Sequence, residues 1–158
     1  MLTFAIPCLF GLEGLVGDEV RRLGLKEVRV DNGRVFCQGT LADVPRLNIN
    51  IRCGERVLIV LRTFPARSFE ALFQGAFAVA WEELVPADGQ FPVKGYSLDS
   101  QLHSVPDCQK IIKRAAADRL GRAYGLGRMP ETGAKYQIQF ALMRDQCTLY
   151  LDTTGPGL

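Results

Sequence analysis

Three hydroxyls and three cations crowd one short stretch of this chain, Ser97, Ser100 and Ser104 followed by Lys110, Lys113 and Arg114. Ser104-Val105-Pro106-Asp107 is a near relative of the capping box with proline in the first turn, so a helix starts here with free N–H groups and its positive dipole end toward the serines. Hydroxyls, backbone donors and positive charge in one place suit a phosphate group. At 100° per residue Lys110, Lys113 and Arg114 share a side with Ala117 and Gly121, whereas Cys108, Ile112, Ala115, Ala116, Leu120 and Ala123 share the other. Arg119 projects from the apolar side, so it either reaches past the core edge or meets a carboxylate. Lys94 and Lys135 border the stretch. Two readings stand for the cations: a solvated helix face, or a surface that holds phosphates.

Other chemistries are poorly supplied. His103 is the single histidine, and a pairing with Cys108 lacks any feature that would activate a thiolate. Glu82 and Glu83 are neighbours at a helix end, and with Asp99 they read as solvated carboxylates, not an acid–base pair. Phe69, Phe73, Phe77 and Trp81 follow helical spacing, which predicts core instead of a stacking platform, while Tyr96 and Tyr136, beside Gly95 and Lys135, are candidates for stacking on a base. Gly11-Leu12-Glu13-Gly14 is no phosphate loop and GxGxxG is missing. Arg21, Arg22 and Asn32 do not make the anion cradle of an acylphosphatase.

The whole chain is only mildly basic, with 158 residues, a net charge of +2 and a pI near 8.3. Charge alone therefore does not announce a nucleic-acid binder, and placement must carry the case. Five scattered cysteines without CxxC predict neither a disulfide framework nor a zinc knuckle. The N-terminus lacks a signal peptide's charged region and no stretch is as long as a membrane span. The expectation is a soluble, cytoplasmic protein, with no membrane partner.

The elements that position these residues follow from periodicity. Thr3–Ala5 predicts a strand, Leu12–Leu23 a helix with Leu12, Leu15, Val16, Val20 and Leu23 inward, and Lys26–Val30 with Arg34–Cys37 a hairpin around Asp31-Asn32-Gly33. Leu41–Cys53 predicts a helix capped by Thr40, and Arg56–Phe64 a strand. The order β-α-β-β-α-β is that of a ferredoxin-like split βαβ unit. Pro65 marks a boundary. Beyond it the pattern predicts a helix from Phe69 to Leu84 capped by Ser68, a strand Phe91–Tyr96, a long helix Ser104–Tyr124 stopped at Gly125, and strands Lys135–Met143 and Gln146–Asp152 around Arg144-Asp145. The ending Gly155-Pro156-Gly157-Leu158 reads as the start of a linker in a longer protein.

Several of these segments resemble a known family. Phe4-Ala5-Ile6-Pro7-Cys8-Leu9-Phe10-Gly11-Leu12-Glu13, Phe69-Glu70-Ala71-Leu72-Phe73 with Trp81-Glu82-Glu83, Val93-Lys94-Gly95-Tyr96-Ser97 and the run from Ser100 to Ala115 look like the N-terminal region of bacterial 23S ribosomal RNA guanine-N2 methyltransferases, often described as N6-adenine-specific DNA methylases. The resemblance implies an α/β chain of α+β type, a ferredoxin-like domain over 1–64 and a THUMP domain over 65–154, with 155–158 opening a linker to a methyltransferase domain the sequence does not contain. It implies that the chain is not itself an enzyme and holds no cofactor, S-adenosylmethionine belonging to the missing domain. Its role would be to position RNA, large-subunit ribosomal RNA, through Lys94, Ser97, Ser100, Ser104, Lys110, Lys113, Arg114 and Lys135. The competing expectation is a small-molecule-sensing or protein-interaction module that ignores RNA.

Overall fold

The computed structural model describes residues 1–154, and the linker reading of 155–158 lies outside them. The chain divides into two compact units, one of Met1–Val60 together with the residues from Asp152, the other of Leu61–Leu151. Mixed α/β structure fills both, as the patterning predicts.

In the first unit β1 (Leu2–Pro7) runs centrally, antiparallel to β3 (Arg34–Gly39) in the register Leu2↔Gly39 to Pro7↔Arg34. On its other side it pairs with the start of β4 (Leu58–Pro65), Thr3↔Val60 to Ala5↔Leu58. The outermost strand, β2 (Lys26–Asp31), pairs with β3, giving the order β2-β3-β1-β4 of the split βαβ unit. Alternate strand residues Phe4, Ile6, Val35, Cys37 and Ile59 are buried, and Val16 and Val20 of α1 (Glu13–Arg22) and Leu47 of α2 (Asp43–Asn50) are buried with them. Leu15, expected inward, is 51% exposed, because α1 buries the face of Val16, Gly17 and Val20 instead. The second helix is also shorter than expected. The Glu19 carboxylate accepts from the N–H groups of Arg52 (2.7 Å) and Cys53 (3.0 Å), donors that a longer helix would have used internally. Thr40 does not cap it; the Asp43 carboxylate reaches back to the Thr40 N–H at 2.8 Å. The unit is completed by its last residues: Arg56 pairs with Asp152 at 2.6 Å, Thr153 donates its N–H to Val57 O at 3.0 Å, and Thr154 donates its hydroxyl to Asn48 Oδ1 at 3.0 Å.

In the second unit the rest of β4 is followed by α3 (Phe69–Phe77), a 3-10 turn at Trp81–Glu83, β5 (Val93–Leu98), α4 (Val105–Tyr124), β6 (Ile138–Met143) and β7 (Gln146–Asp152). β5 and β6 are parallel, joined through α4, and β6 and β7 form an antiparallel hairpin. Ile138, Phe140 and Leu142 are buried with Leu72 and Ala76 of α3 and Cys108, Ile112, Ala115, Ala116 and Leu120 of α4. Ala123, expected on that apolar side, is exposed in the last turn. Helix α3 ends at Phe77 and not at Leu84 as its stripe predicted. Trp81 turns back under it, wholly buried, and its indole N–H donates at 2.8 Å to Ala76 O, a carbonyl of the helix end that also accepts from Val79 N at 3.2 Å. Phe69, at the first position of α3, is 41% exposed and so is not core.

All five cysteines are free thiols, four of them buried. Burial pushes Cys37 and Cys147 up to about 12, so they pack and do not react. No helix among the described residues is long and apolar enough to cross a membrane.

Candidate nucleic-acid interface

The loop between β5 and α4 is shaped by its own hydroxyls. Ser97 Oγ donates to Leu102 O at 2.6 Å, Ser100 Oγ donates to Leu98 O at 2.8 Å, and Ser104 Oγ accepts from Asp107 N at 3.4 Å as the cap of α4. The three serines marked by sequence therefore come together, and each spends a hydrogen bond on the loop. A second element, the turn between β6 and β7, locks it. Arg144 and Asp145 have φ of 50° and 65°, the left-handed pair of a two-residue hairpin turn. Asp145 N–H donates to Ser100 Oγ at 3.1 Å, its Oδ1 accepts from Gln101 N at 2.8 Å, and Arg144 N–H donates to Leu98 O at 3.2 Å. The carbonyl of Asp145 accepts from Ala66 N at 2.8 Å, and its carboxylate lies 3.7 Å from Arg67. One short turn thus ties the loop before α4 to the loop before α3, whose cap Ser68 accepts from Ala71 N at 3.1 Å.

The cations are less uniform than their spacing suggests. Lys113 is committed: its Nζ lies 2.5 Å from Glu131 Oε1, 3.2 Å from Phe91 O and 3.7 Å from the centre of the Phe91 ring. Burial pushes the Glu131 carboxyl up, but the Lys113 and Phe91 N–H bonds outweigh it and hold it below its ordinary value. Arg119 has the carboxylate partner its position demanded. It forks onto Glu82, with Nη2 to Oε1 at 2.9 Å and Nε to Oε2 at 3.1 Å, and donates to Phe77 O at 3.1 Å. That bond holds Glu82 below the usual carboxylate range. Lys94, Lys110 and Lys135 are exposed and make no ion pair among the described residues. Lys94 lies on β5 and Lys135 beside Gln90, to which it is bridged, so these two sit toward the start of β5, with Ser97 about 10 Å further along the strand from Lys94 and the other serines beyond its end. Arg114 lies over Phe73, 5.0 Å from the ring centre.

Arg67, Arg144 and Asp145 carried no sequence signal of their own. Only the two-residue spacing between the last strands pointed to a tight turn. Their unit holds eleven Lys and Arg against nine Asp and Glu, while the first unit is balanced at eight each, so the net +2 resides wholly in Leu61–Leu151.

Comparison with known proteins agrees with this division. Residues 3–58 match the RlmL ferredoxin-like domain and residues 66–152 match the THUMP domain. The chain belongs to the THUMP domain family. It is 39% identical, over 99% of its length, to "Putative RNA methyltransferase YpsC" of Bacillus subtilis, and spans 41% of that protein. It is 31% identical, over 97% of its length, to "Ribosomal RNA large subunit methyltransferase K/L" of Pseudomonas aeruginosa, and spans 21% of it. Among solved structures, "SMU.472, a putative methyltransferase complexed with SAH" matches with a TM-score of 0.92 and 36% identity over 96% of the chain and 41% of the neighbour.

Within the THUMP unit the enzymatic rivals are weak. Cys108 is buried and burial raises its thiol, while His103 is exposed with Nδ1 3.1 Å from Gln101 O, an arrangement that activates neither. No cluster of three or more His, Cys, Asp or Glu among the described residues is placed to hold a metal. Tyr96 shares an open strand face with Lys94 and Leu98 and is 37% exposed, whereas Tyr136 is packed against the core.

Two of the ion pairs within the THUMP unit, Lys113–Glu131 and Arg119–Glu82, predict its acid sensitivity. Glu82 and Glu131 both have folded pKa values below their ordinary 4.5. Their contribution is complete above that ordinary value and is lost as pH falls through the folded values. Urea midpoints measured between about pH 7 and pH 3 are expected to fall, and Glu131→Gln with Glu82→Gln to flatten the decline. An unchanged slope in the double variant would remove these pairs as the source.

Proposed function

We propose that this chain is an RNA-binding module that positions large-subunit ribosomal RNA for methyl transfer, to guanine N2, by a catalytic portion of a larger cytoplasmic protein. The functional division we infer lies between 1–64 and 65–154, and the gap between the two family matches, 58 to 66, supports it. The observation that carries the reading is the surplus of exposed, unpaired cations in the THUMP unit, on a chain whose relatives bear the names of RNA and ribosomal RNA methyltransferases. Lys94, Lys110 and Lys135 are the backbone contacts; Ser97, Ser100 and Ser104 hold the loop's shape, Lys113 braces it, and Arg67 and Arg144 add charge at its rim. Contacts of this kind fix the position of RNA without reading its sequence.

S-adenosylmethionine is assigned to the catalytic portion. None of the four loops that lead from a strand into a helix among the described residues, Cys8–Leu12, Thr40–Ala42, Ala66–Ser68 and Asp99–Ser104, has the glycine-rich turn that brings a helix end close to such a cofactor, so the residues present do not fit it.

Fluorescence anisotropy with structured ribosomal RNA fragments tests the reading. The triple variant Lys94→Ala/Lys110→Ala/Lys135→Ala is expected to lower the slope of log affinity against log salt by about 2.1–2.7, at roughly 0.7–0.9 for each phosphate no longer neutralised. A chain that dimerises and ignores RNA at low salt would be the other kind of module.

A further inference from the structure

Two arginines on α4, Arg114 already expected at the RNA surface and Arg122 not, share an arrangement that spacing alone does not reveal. Arg114 and Arg122 are eight residues apart and exposed. Between them, four residues from each, stands the exposed carboxylate of Asp118, the usual partner at that spacing. Neither pairs with it. The Arg114 guanidinium lies 5.0 Å from the centre of the Phe73 ring and that of Arg122 5.0 Å from Phe77. The two rings are neighbours on α3, 6.0 Å apart and within 13° of parallel. The third arginine nearby, Arg119, is 6.0 Å from the Phe77 ring but is consumed by Glu82.

We infer that Arg114 and Arg122, laid on the Phe73–Phe77 pair, form a ladder that grips the phosphodiester backbone of RNA along the outer side of α3 and α4. The inference rests on the RNA reading and deepens it. A guanidinium stacked on a ring is attracted through its face and keeps its N–H edge for an acceptor, in a rotamer already fixed. That edge matches two phosphate oxygens at once, which a lysine does not. Eight residues of helix set the two arginine backbones about 12 Å apart along the axis, so the pair offers two separate places for an anion. Asp118 sits between the two cations and opposes the anion. The competing explanation is that the arginine stems merely shield two phenyl rings from water.

Substitutions in the 158-residue chain separate these. Arg114→Met/Arg122→Met keeps apolar cover over the rings and removes the charge; it is expected to lower the RNA salt slope by about 1.4–1.8, with at least a roughly tenfold drop in affinity near 0.15 M salt. Arg114→Lys/Arg122→Lys is expected to keep the slope but weaken binding several-fold, because the fork is gone. Asp118→Asn, which leaves the fold alone, is expected to tighten binding about two- to fivefold. Unchanged affinity and slope in the methionine variant, with the Lys94/Lys110/Lys135 variant still weakened, overturns the ladder and leaves the RNA reading standing. A wild-type chain that binds no RNA overturns both. Polyglutamate binding as tightly as RNA at equal ionic strength would make this an acidic-protein surface and also overturn the inference.

Discussion

Trp81→Ala is expected to destabilise the chain by about 3–5 kcal/mol, the range for emptying a large aromatic site in a core. Trp81 is wholly buried among α3, α4 and the sheet residues they cover. The substitution also strips Ala76 O of its 2.8 Å indole donor and leaves it the longer 3.2 Å bond from Val79 N–H. Trp81→Phe keeps much of the volume and removes only the bond, so it should cost less than half as much. Trp81 is the single tryptophan, so unfolding must be followed by far-ultraviolet circular dichroism in urea. A destabilisation below about 1 kcal/mol would mean that the site collapses around the missing ring.

Gly95→Ala is the second large effect expected, from a single added methyl group. Gly95 stands opposite Phe140 in the parallel register of β5 and β6. A Cβ there would lie 2.3 Å from the Phe140 ring and 2.3 Å from its carbonyl oxygen. The carbonyl belongs to the neighbouring strand and cannot swing aside, so the strands must part. The expected cost is about 1–3 kcal/mol, the usual penalty of overpacking, or more. Phe140→Leu in the same chain relieves the ring clash but not the carbonyl one, so it should restore only part of the stability. Because Gly95 sits between Lys94 and Tyr96 and just before the serine loop, RNA affinity should fall with stability although glycine contacts no phosphate. Full recovery of stability in the double variant would show that the ring alone sets the limit.

Local signals in the chain are read correctly where they are self-contained. Ser104, Pro106 and Gly125 bracket α4, and the observed helix runs Val105–Tyr124 with Gly125 at a φ of 68°. The turn at Asn32-Gly33 joins β2 and β3, with Gly33 at a φ of 72°. Periodicity fails at α3 because an apolar stripe does not reveal where the backbone stops being helical. Phe73 and Phe77 continue in phase to Trp81, yet the chain leaves the helix after Phe77 to bring the indole underneath. Candidate phosphate ligands are legible as residue types but not as available groups. Lys113 and Lys110 look alike in sequence, and only the fold brings Glu131, eighteen residues on, to claim the first. Arg119 shows itself as a misfit on an apolar side, but its partner Glu82 is thirty-seven residues back. Asp145 is invisible as an organiser, since its partners lie in two distant loops.

The return of Asp152, Thr153 and Thr154 to Arg56, Val57 and Asn48 has a consequence for the order in which the protein is made. A ribosome that has released Val60 has produced every strand and helix of the first unit but not the residues that fasten its last strand. Ninety-four more residues must emerge before Thr154 arrives, about 5–19 s at bacterial to eukaryotic elongation rates of roughly 5–20 residues per second. Throughout that interval the first unit waits incomplete, and its closure depends on synthesis of the second reaching its end.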